Sequence, residues 1–371
     1  MEITFIPPTS FFPLFNFVLM LFVIITVYQC YSGQILRKDV AEVNSTFGLA
    51  LTIFIILLMG LRPIHRCFGD TVNYARGFKA LQESGYTFSF TFEREWGFDN
   101  LYNYSAAYAD IHFVFFVCSI IYTGCLYLAL KKIFGVHYFV PLLVFLSMFT
   151  FWSYGVNGVR NGAAASLFIL ALANVNRLGV AALLAFCSIG FHKSMWMVVG
   201  AAIVAWYIKN SYMYIVGWFC SIVISFLAGM SIQTVIAGLG IFGNDDKFAD
   251  YLTVSNVDFS YDQVVIGFRW DFIAFSALGI LYGWYFIIKR KFKDDFYIWV
   301  FNIYCLANMF WIFVIRASYS NRIAQISWFI LPLVLAYPTI KQRFWTDQEK
   351  YISYPILILF CFNLFYNGLP F

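Results

Sequence analysis

Charge is scarce in this chain: Asp, Glu, Lys and Arg together make up 12% of its 371 residues, about half the level of a soluble domain. No polar stretch is long enough for a separately folded soluble unit, so the sequence reads as a single integral domain over residues 1–371. Nucleotide signatures are missing as well, with neither a GxGxxG nor a P-loop. There is no DxD and no HExxH, and the four histidines (65, 112, 137, 192) are too dispersed for a metal centre. Neither a metal nor any other cofactor is therefore expected. The eight cysteines form no CxxC pair and fall mostly inside apolar runs, which leaves them as small buried hydrophobes rather than a disulfide framework. The net charge of +5 is spread over many short loops, which excludes nucleic acid as a partner. An internal repeat is also lacking, and that argues against an inverted-repeat transporter. No basic segment precedes the first apolar run and no small-residue cleavage site follows it, so this run is expected to be retained.

What the chain has instead is apolar length. Hydrophobic residues make up 62% of it and aromatic residues 22%. Runs close to the ~20 residues that cross a bilayer recur along nearly its whole length. The expected fold is an all-α polytopic integral membrane protein of about twelve transmembrane helices, with the lipid bilayer as its first partner. Among the expected spans are 46–61, 111–130, 138–154 and the short 178–191 and 195–208, the last two tilted or half-spans. The dense basic runs Lys131–Lys132 and Lys289–Lys293 mark the inside by the positive-inside rule, which puts both termini outside. Two outer loops are long, 62–110 and 233–266. The first carries an amphipathic stretch, with Tyr74, Phe78 and Leu81 at helical spacing, that looks interfacial. Aspartates and aromatics crowd the second, a mixture suited to carbohydrate.

On this outer face arginines stand at the ends of apolar segments: Arg62, Arg160, Arg269, Arg316 and Arg322, with Arg94 in a loop. Arginine beside hydrocarbon is costly unless it meets a counter-ion, a wet cavity or the interface, so the group asks for an anion such as a lipid-linked phosphate or pyrophosphate. Arg62 reads either as an interfacial anchor or as a bidentate phosphate grip, with Asp70 and Thr71 capping the helix that follows or Asp70 positioning a sugar hydroxyl. In Asn157-Gly158-Val159-Arg160 the arginine opens a helix, where a positive dipole end disfavours it unless an anion is near. His192, in Phe191-His192-Lys193-Ser194 between two short spans, is either a histidine bonded at a broken helix or a general base. Arg269 has Asp271 two residues away and reads equally well as half of a local ion pair. Arg316 and Arg322 bracket Tyr319 without a local acid. The run Glu93-Arg94-Glu95-Trp96 is either a solvated loop or, through Glu95 and Trp96, a sugar contact.

These motifs in this order resemble the EpsG family of bacterial polysaccharide polymerases, related to Wzy-type O-antigen polymerases. The resemblance rests on Gly60–Arg62 with Asp70, Thr71 and Tyr74, on Glu95 and Gly97, on Asn157, Arg160 and Ala163, and on His192 and Ser194. Arg316 to Arg322 followed by Leu331-Pro332 looks similar too. Asn161, where glutamine is expected, and Lys193 inside the histidine motif depart from the pattern. The resemblance implies a GT-C-like fold in the bacterial inner membrane. It also implies a metal-independent transfer of a growing glycan from undecaprenyl pyrophosphate to a repeat unit on the same lipid. The partners would be undecaprenyl-pyrophosphate-linked oligosaccharides, a chain-length regulator and a flippase. His192, Asp70 and Glu95 are then the candidates for catalysis. Arg62, Arg160, Arg316, Arg322 and Arg269 are the candidates for pyrophosphate, and Tyr74, Asn157, Ser194, Tyr319 and Trp96 for substrate. A lipid-linked oligosaccharide flippase and a membrane O-acyltransferase are the rival readings.

Overall fold

The computed structural model describes residues 6–238, 267–317 and 320–368, and every regular element among them is helical. Outer loop 233–266 lies almost wholly outside the described residues, as does Tyr319. The helices are α1 (Phe11–Tyr31), α2 (Lys38–Gly60), α3 (Thr71–Glu83), α4 (Trp96–Tyr108), α5 (Ile111–Ser119) and α6 (Cys125–Phe134). They continue with α7 (Phe139–Leu146), α8 (Phe151–Val156), α9 (Val159–Ala173), α10 (Leu178–Phe191), α11 (Met195–Tyr207) and α12 (Ser211–Gly238). The last five are α13 (Trp270–Trp284), α14 (Asp295–Phe313), α15 (Ser320–Trp328), α16 (Leu331–Lys341) and α17 (Gln348–Asn367).

Among the described residues seven helical stretches are long and apolar enough to cross a membrane, and α9, α10 and α11 are shorter apolar helices. The chain is therefore membrane-embedded. Each of the twelve expected spans has a helical counterpart, but not all are full-length crossings. The stretch Ile111–Leu146 has 36 residues, and at 1.5 Å per residue its ~54 Å exceeds a hydrocarbon core of ~30 Å. Its helix ends at Gly135, whose φ of 60° no continuing helix accepts, and this divides the stretch into two limbs. The expected span 138–154 is broken in turn into α7 and α8, and a further break at Asn157–Gly158 precedes α9. Asp110 and Asp294 cap α5 and α14, accepting from Phe113 N and Tyr297 N at 2.8 Å.

The contacts of the chain form two compact units, Met1–Met195 with Thr339–Phe371, and Trp196–Pro338. In the first unit α9 is the central helix and packs against α6, α10, α5 and α8. Its Ala163, Ala164 and Ala165 are buried, and small side chains of this kind allow close helix approach. Helices α1 and α17 pair alongside, and Asn363 Nδ2 donates to buried Asn16 Oδ1 at 2.9 Å. In the second unit α12 packs on α14, and the buried rings of Phe272, Trp311 and Trp328 meet edge-on. Ser276 holds this core from both sides: its Oγ accepts from Trp328 Nε1 and its carbonyl from the Tyr304 hydroxyl, each at 2.7 Å.

Loop 62–110 folds into α3 and α4 over the end of α5. The amphipathic stretch expected at an interface is helix α3, but its apolar face turns onto protein. Phe78 is buried with Phe98 and Phe115, and Tyr74 and Leu81 pack against the same cluster. The spacing identifies an apolar face, and a neighbouring helix satisfies that face as well as lipid does.

Candidate functional site

The site grows out of three interruptions in the first unit. At the first, the turn before α4 holds Arg94 in the left-handed region at φ 50°, an uncommon conformation for a side-chain-bearing residue, and delivers Glu95 to the head of that helix. Glu95 is 8% exposed. The second is the break between α8 and α9, which leaves Arg160 in the first turn of α9. The third is the end of α10, where His192 leaves the helix with extended backbone at φ −151° and ψ 117° before α11 begins.

Glu95 joins the other two. Its Oε2 accepts from Arg160 Nη1, and its Oε1 meets His192 Nδ1. Oε1 also accepts from Lys193 N at 3.2 Å. Arg160 Nε donates to the Tyr74 hydroxyl at 3.1 Å, and its guanidinium lies 5.4 Å from the centre of the Phe98 ring. The anion that a helix-opening arginine requires is thus a carboxylate 65 residues away in the chain. Burial opposes ionisation of Glu95. The hydrogen bond and charge of His192, the charge of Arg160 and the Lys193 N–H outweigh it and hold the carboxyl at about 2. Glu95 is therefore a fixed anion near neutral pH and a poor base.

That carboxylate has chemical consequences for both partners. A neutral His192 whose Nδ1–H points at Glu95 carries its lone pair on Nε2, the arrangement by which a carboxylate sets the tautomer of a basic histidine. Arg160, with 36% of its side chain exposed, keeps Nη2 uncommitted among the described residues. A base and a cation thus share one counter-ion, an arrangement able to take a proton and to stabilise an anion.

Arg62 stands next to this cluster and is sealed from solvent, with 0% exposure. Its guanidinium donates to the carbonyls of Met59 and Val156, the latter at 3.0 Å, and lies 4.3 Å over the Phe115 ring. Nε and Nη2 also reach Thr71 Oγ1 at 3.4 Å. Its donors meet the carbonyl ends of α2 and α8, where a cation is favoured. Burial draws its pKa down to about 10, still cationic near neutrality. The sequence left Arg62 as an interfacial anchor or a phosphate grip; in the structure its donors are engaged by backbone carbonyls and Thr71. The same seam is tied by Asn157, whose Oδ1 accepts from Asp70 N at 2.8 Å. Gly69 allows this approach, with φ 64° and with Asn157 Oδ1 only 2.4 Å from where a Cβ would stand.

Asp70 precedes α3 without capping it, and its carboxylate accepts instead from Asn73 Nδ2 at 3.2 Å. Trp96 packs between Phe92 and Phe186, at 5.5 and 5.1 Å, against the bare backbone of Gly190. Ser194 is half-buried in the turn before α11. In the second unit Arg269 forms the local pair that its spacing suggested, bonding Asp271 at 2.9 and 2.6 Å over the Phe272 ring. Arg316 Nη2 donates to Phe226 O at 3.2 Å, and Arg322 is exposed on α15. Sequence reasoning did not anticipate the bridging part of Glu95 or the brace made by Arg62 and Thr71. Both join segments 65 or more residues apart, and no local spacing signals them.

The model of the EpsG family matches residues 45–370. Comparison with curated proteins gives no match, and comparison with solved structures gives none.

Proposed function

Because this chain belongs to the EpsG family, we propose that it is a polysaccharide polymerase, a glycosyltransferase working on lipid-linked oligosaccharides. The donor is a growing glycan on undecaprenyl pyrophosphate and the acceptor a repeat unit on the same lipid. The site faces the outer side of the bacterial inner membrane, with both termini on that side and a GT-C-like arrangement of helices. A chain-length regulator and a flippase are the protein partners of such an enzyme.

The observation that carries this reading is Glu95 between Arg160 and His192. In the proposed step His192 Nε2 takes the proton of an acceptor hydroxyl. The hydroxyl oxygen bonds to the anomeric carbon of the donor, and the bond from that carbon to the pyrophosphate oxygen breaks. Negative charge grows on the departing pyrophosphate, and Arg160 meets it through Nη2 where other enzymes use a metal ion. Glu95 orients both groups and stays ionised throughout. Tyr74 steadies Arg160 from the far side, which makes it a positioning residue. Arg62 and Asn157 hold the break that delivers Arg160, rather than touching phosphate. Asp70 is the second choice for the base. Arg269 belongs to Asp271.

The test is reconstitution of the purified protein in proteoliposomes with lipid-linked repeat units. A ladder of lengthening glycans with release of undecaprenyl pyrophosphate supports the reading. Movement of the lipid-linked unit across the bilayer without bond formation supports the flippase instead and refutes it.

A further inference from the structure

Residues 86–92 read Tyr-Thr-Phe-Ser-Phe-Thr-Phe, an uncharged run in which every second side chain is a ring. It is a non-helical strap that runs back along α4. Buried Asn100 clamps it near its far end, with Oδ1 accepting from Thr91 N at 3.0 Å and Nδ2 donating to Thr91 O at 2.6 Å. On either side of the clamp its rings join those of α4. Phe88 meets Tyr104 at 5.5 Å, and Tyr104 meets Tyr108 at 5.1 Å. Phe90 meets Phe92 at 4.9 Å, and Phe92 meets Trp96 at 5.5 Å. The outer rings are open, with Phe90 56%, Phe92 69% and Tyr108 69% exposed. Scattered exposed apolar side chains are ordinary, whereas two runs of paired, open rings on one strap and the helix it lies along mark a surface with a partner.

Each of the two runs leads to an apolar helix. Tyr108 stands three residues before Ile111, where a stretch long and apolar enough to cross a bilayer begins. On that stretch Phe113 is exposed. In the other run Trp96 passes the contact to Phe186 of α10, an apolar helix whose Leu178 and Leu183 are exposed as well. A surface continuous with lipid-facing side chains at both ends lies at the level where hydrocarbon gives way to headgroups. The ring chemistry favours lipid over sugar. Phenylalanine has no polar tip, and the pairs Phe88–Tyr104 and Phe90–Phe92 meet edge to face at 90° and 79° instead of laying ring faces side by side as a glycan platform.

We propose that the strap 86–92 and the aromatic face of α4 form a lipid-binding surface seated at the headgroup–acyl boundary of the bilayer. Through Asn100 and Trp96 this surface fixes the depth at which Glu95, the neighbour of Trp96, is held. That depth is the one at which a lipid-borne phosphate is presented. The surface itself does not depend on the reaction proposed above.

The test places a photoreactive benzoylphenylalanine at Phe90, Phe92 or Tyr108, one position per protein. The controls are Phe113 on α5 and Lys79, exposed and paired with Glu83 on α3. Each protein is irradiated in vesicles of phosphatidylethanolamine and phosphatidylglycerol, and the intact mass is read for addition of one phospholipid. Labelling at 90, 92 and 108 within about threefold of that at 113, with background at 79, is the expected result. Phospholipid addition at 113 alone overturns the proposal. So does labelling at 90 and 92 that occurs only when a lipid-linked oligosaccharide is supplied and carries its glycan. Position 108 lies on α4, outside the strap, and keeps the test decisive if a label within the strap prevents folding.

Discussion

Replacing Glu95 by glutamine removes one charge and keeps the shape, so it isolates what the carboxylate does. Burial raises its pKa, but its partners outweigh burial and hold the carboxyl well below the ordinary 4.5, so folding favours the ionised form. A depressed carboxylate pKa contributes stability that is present above the unfolded value, near 4.5, and is lost as pH falls towards 2. The wild-type protein in detergent should therefore lose thermal stability between pH 5 and pH 3. Glu95→Gln should start lower at pH 7, and the gap should close as the pH drops. The rate effect is larger. An amide can direct its NH2 at His192 Nδ1, which moves the ring proton to Nε2 and removes the base. Carboxylates that orient a basic histidine are worth up to ~10⁴ in rate. Polymer ladders from reconstituted Glu95→Gln should be at or below detection while the protein still reaches the membrane. A variant of normal rate, or a stability gap that stays constant from pH 7 to pH 3, refutes the reasoning.

Other substitutions separate the cluster from its supports. Arg160→Lys keeps a charge but cannot serve Tyr74, Glu95 and an anion through one planar fork, and polymerisation should fall ~10²-fold or more in an initial-rate assay. Arg62→Met takes the side-chain donor from the Met59 carbonyl, at about 1–3 kcal/mol, leaves Val156 O to the Thr71 hydroxyl alone, and should lower the thermal midpoint. Gly190→Ala puts a Cβ 2.4 Å from Trp96 Cε2, and this overpacking of about 1–3 kcal/mol should appear as a lower midpoint in the same scan. Gly69→Ala meets Asn157 at the same distance in a backbone that disfavours side chains, and should cut both the midpoint and the polymerisation rate.

Some of this was legible in the sequence because its causes are local. Scarce charge and long apolar runs announce a helical membrane protein, and the Tyr74–Phe78–Leu81 spacing announces α3. Arg269 and Asp271, two residues apart, foretell their pair. Other features depend on distance in the chain. Arg160 lacks a carboxylate nearby in sequence, and its partner Glu95 read as a solvated loop charge, a sugar contact or a candidate for catalysis, not as a counter-ion. The apolar face of α3 could be read but not assigned, because lipid and protein reward the same side chains. Arg62 looked like Arg160, an arginine at the end of an apolar segment. What separates them is whether carbonyl ends of other helices converge on the guanidinium, and that is decided by folding. The rings of 86–92 went unread in the sequence, because their meaning rests on Asn100 pinning the strap to α4.

The central claim is that Arg160 and His192 act as one unit through Glu95. It is tested most directly by a double-mutant cycle on polymerisation rate, comparing Arg160→Ala, His192→Ala and the double variant in proteoliposomes with lipid-linked repeat units. Residues that work as a unit are strongly non-additive, so the double variant should be no slower than the slower single variant by more than about threefold. Losses that multiply, or a His192→Ala protein that still builds a normal ladder, would contradict the account.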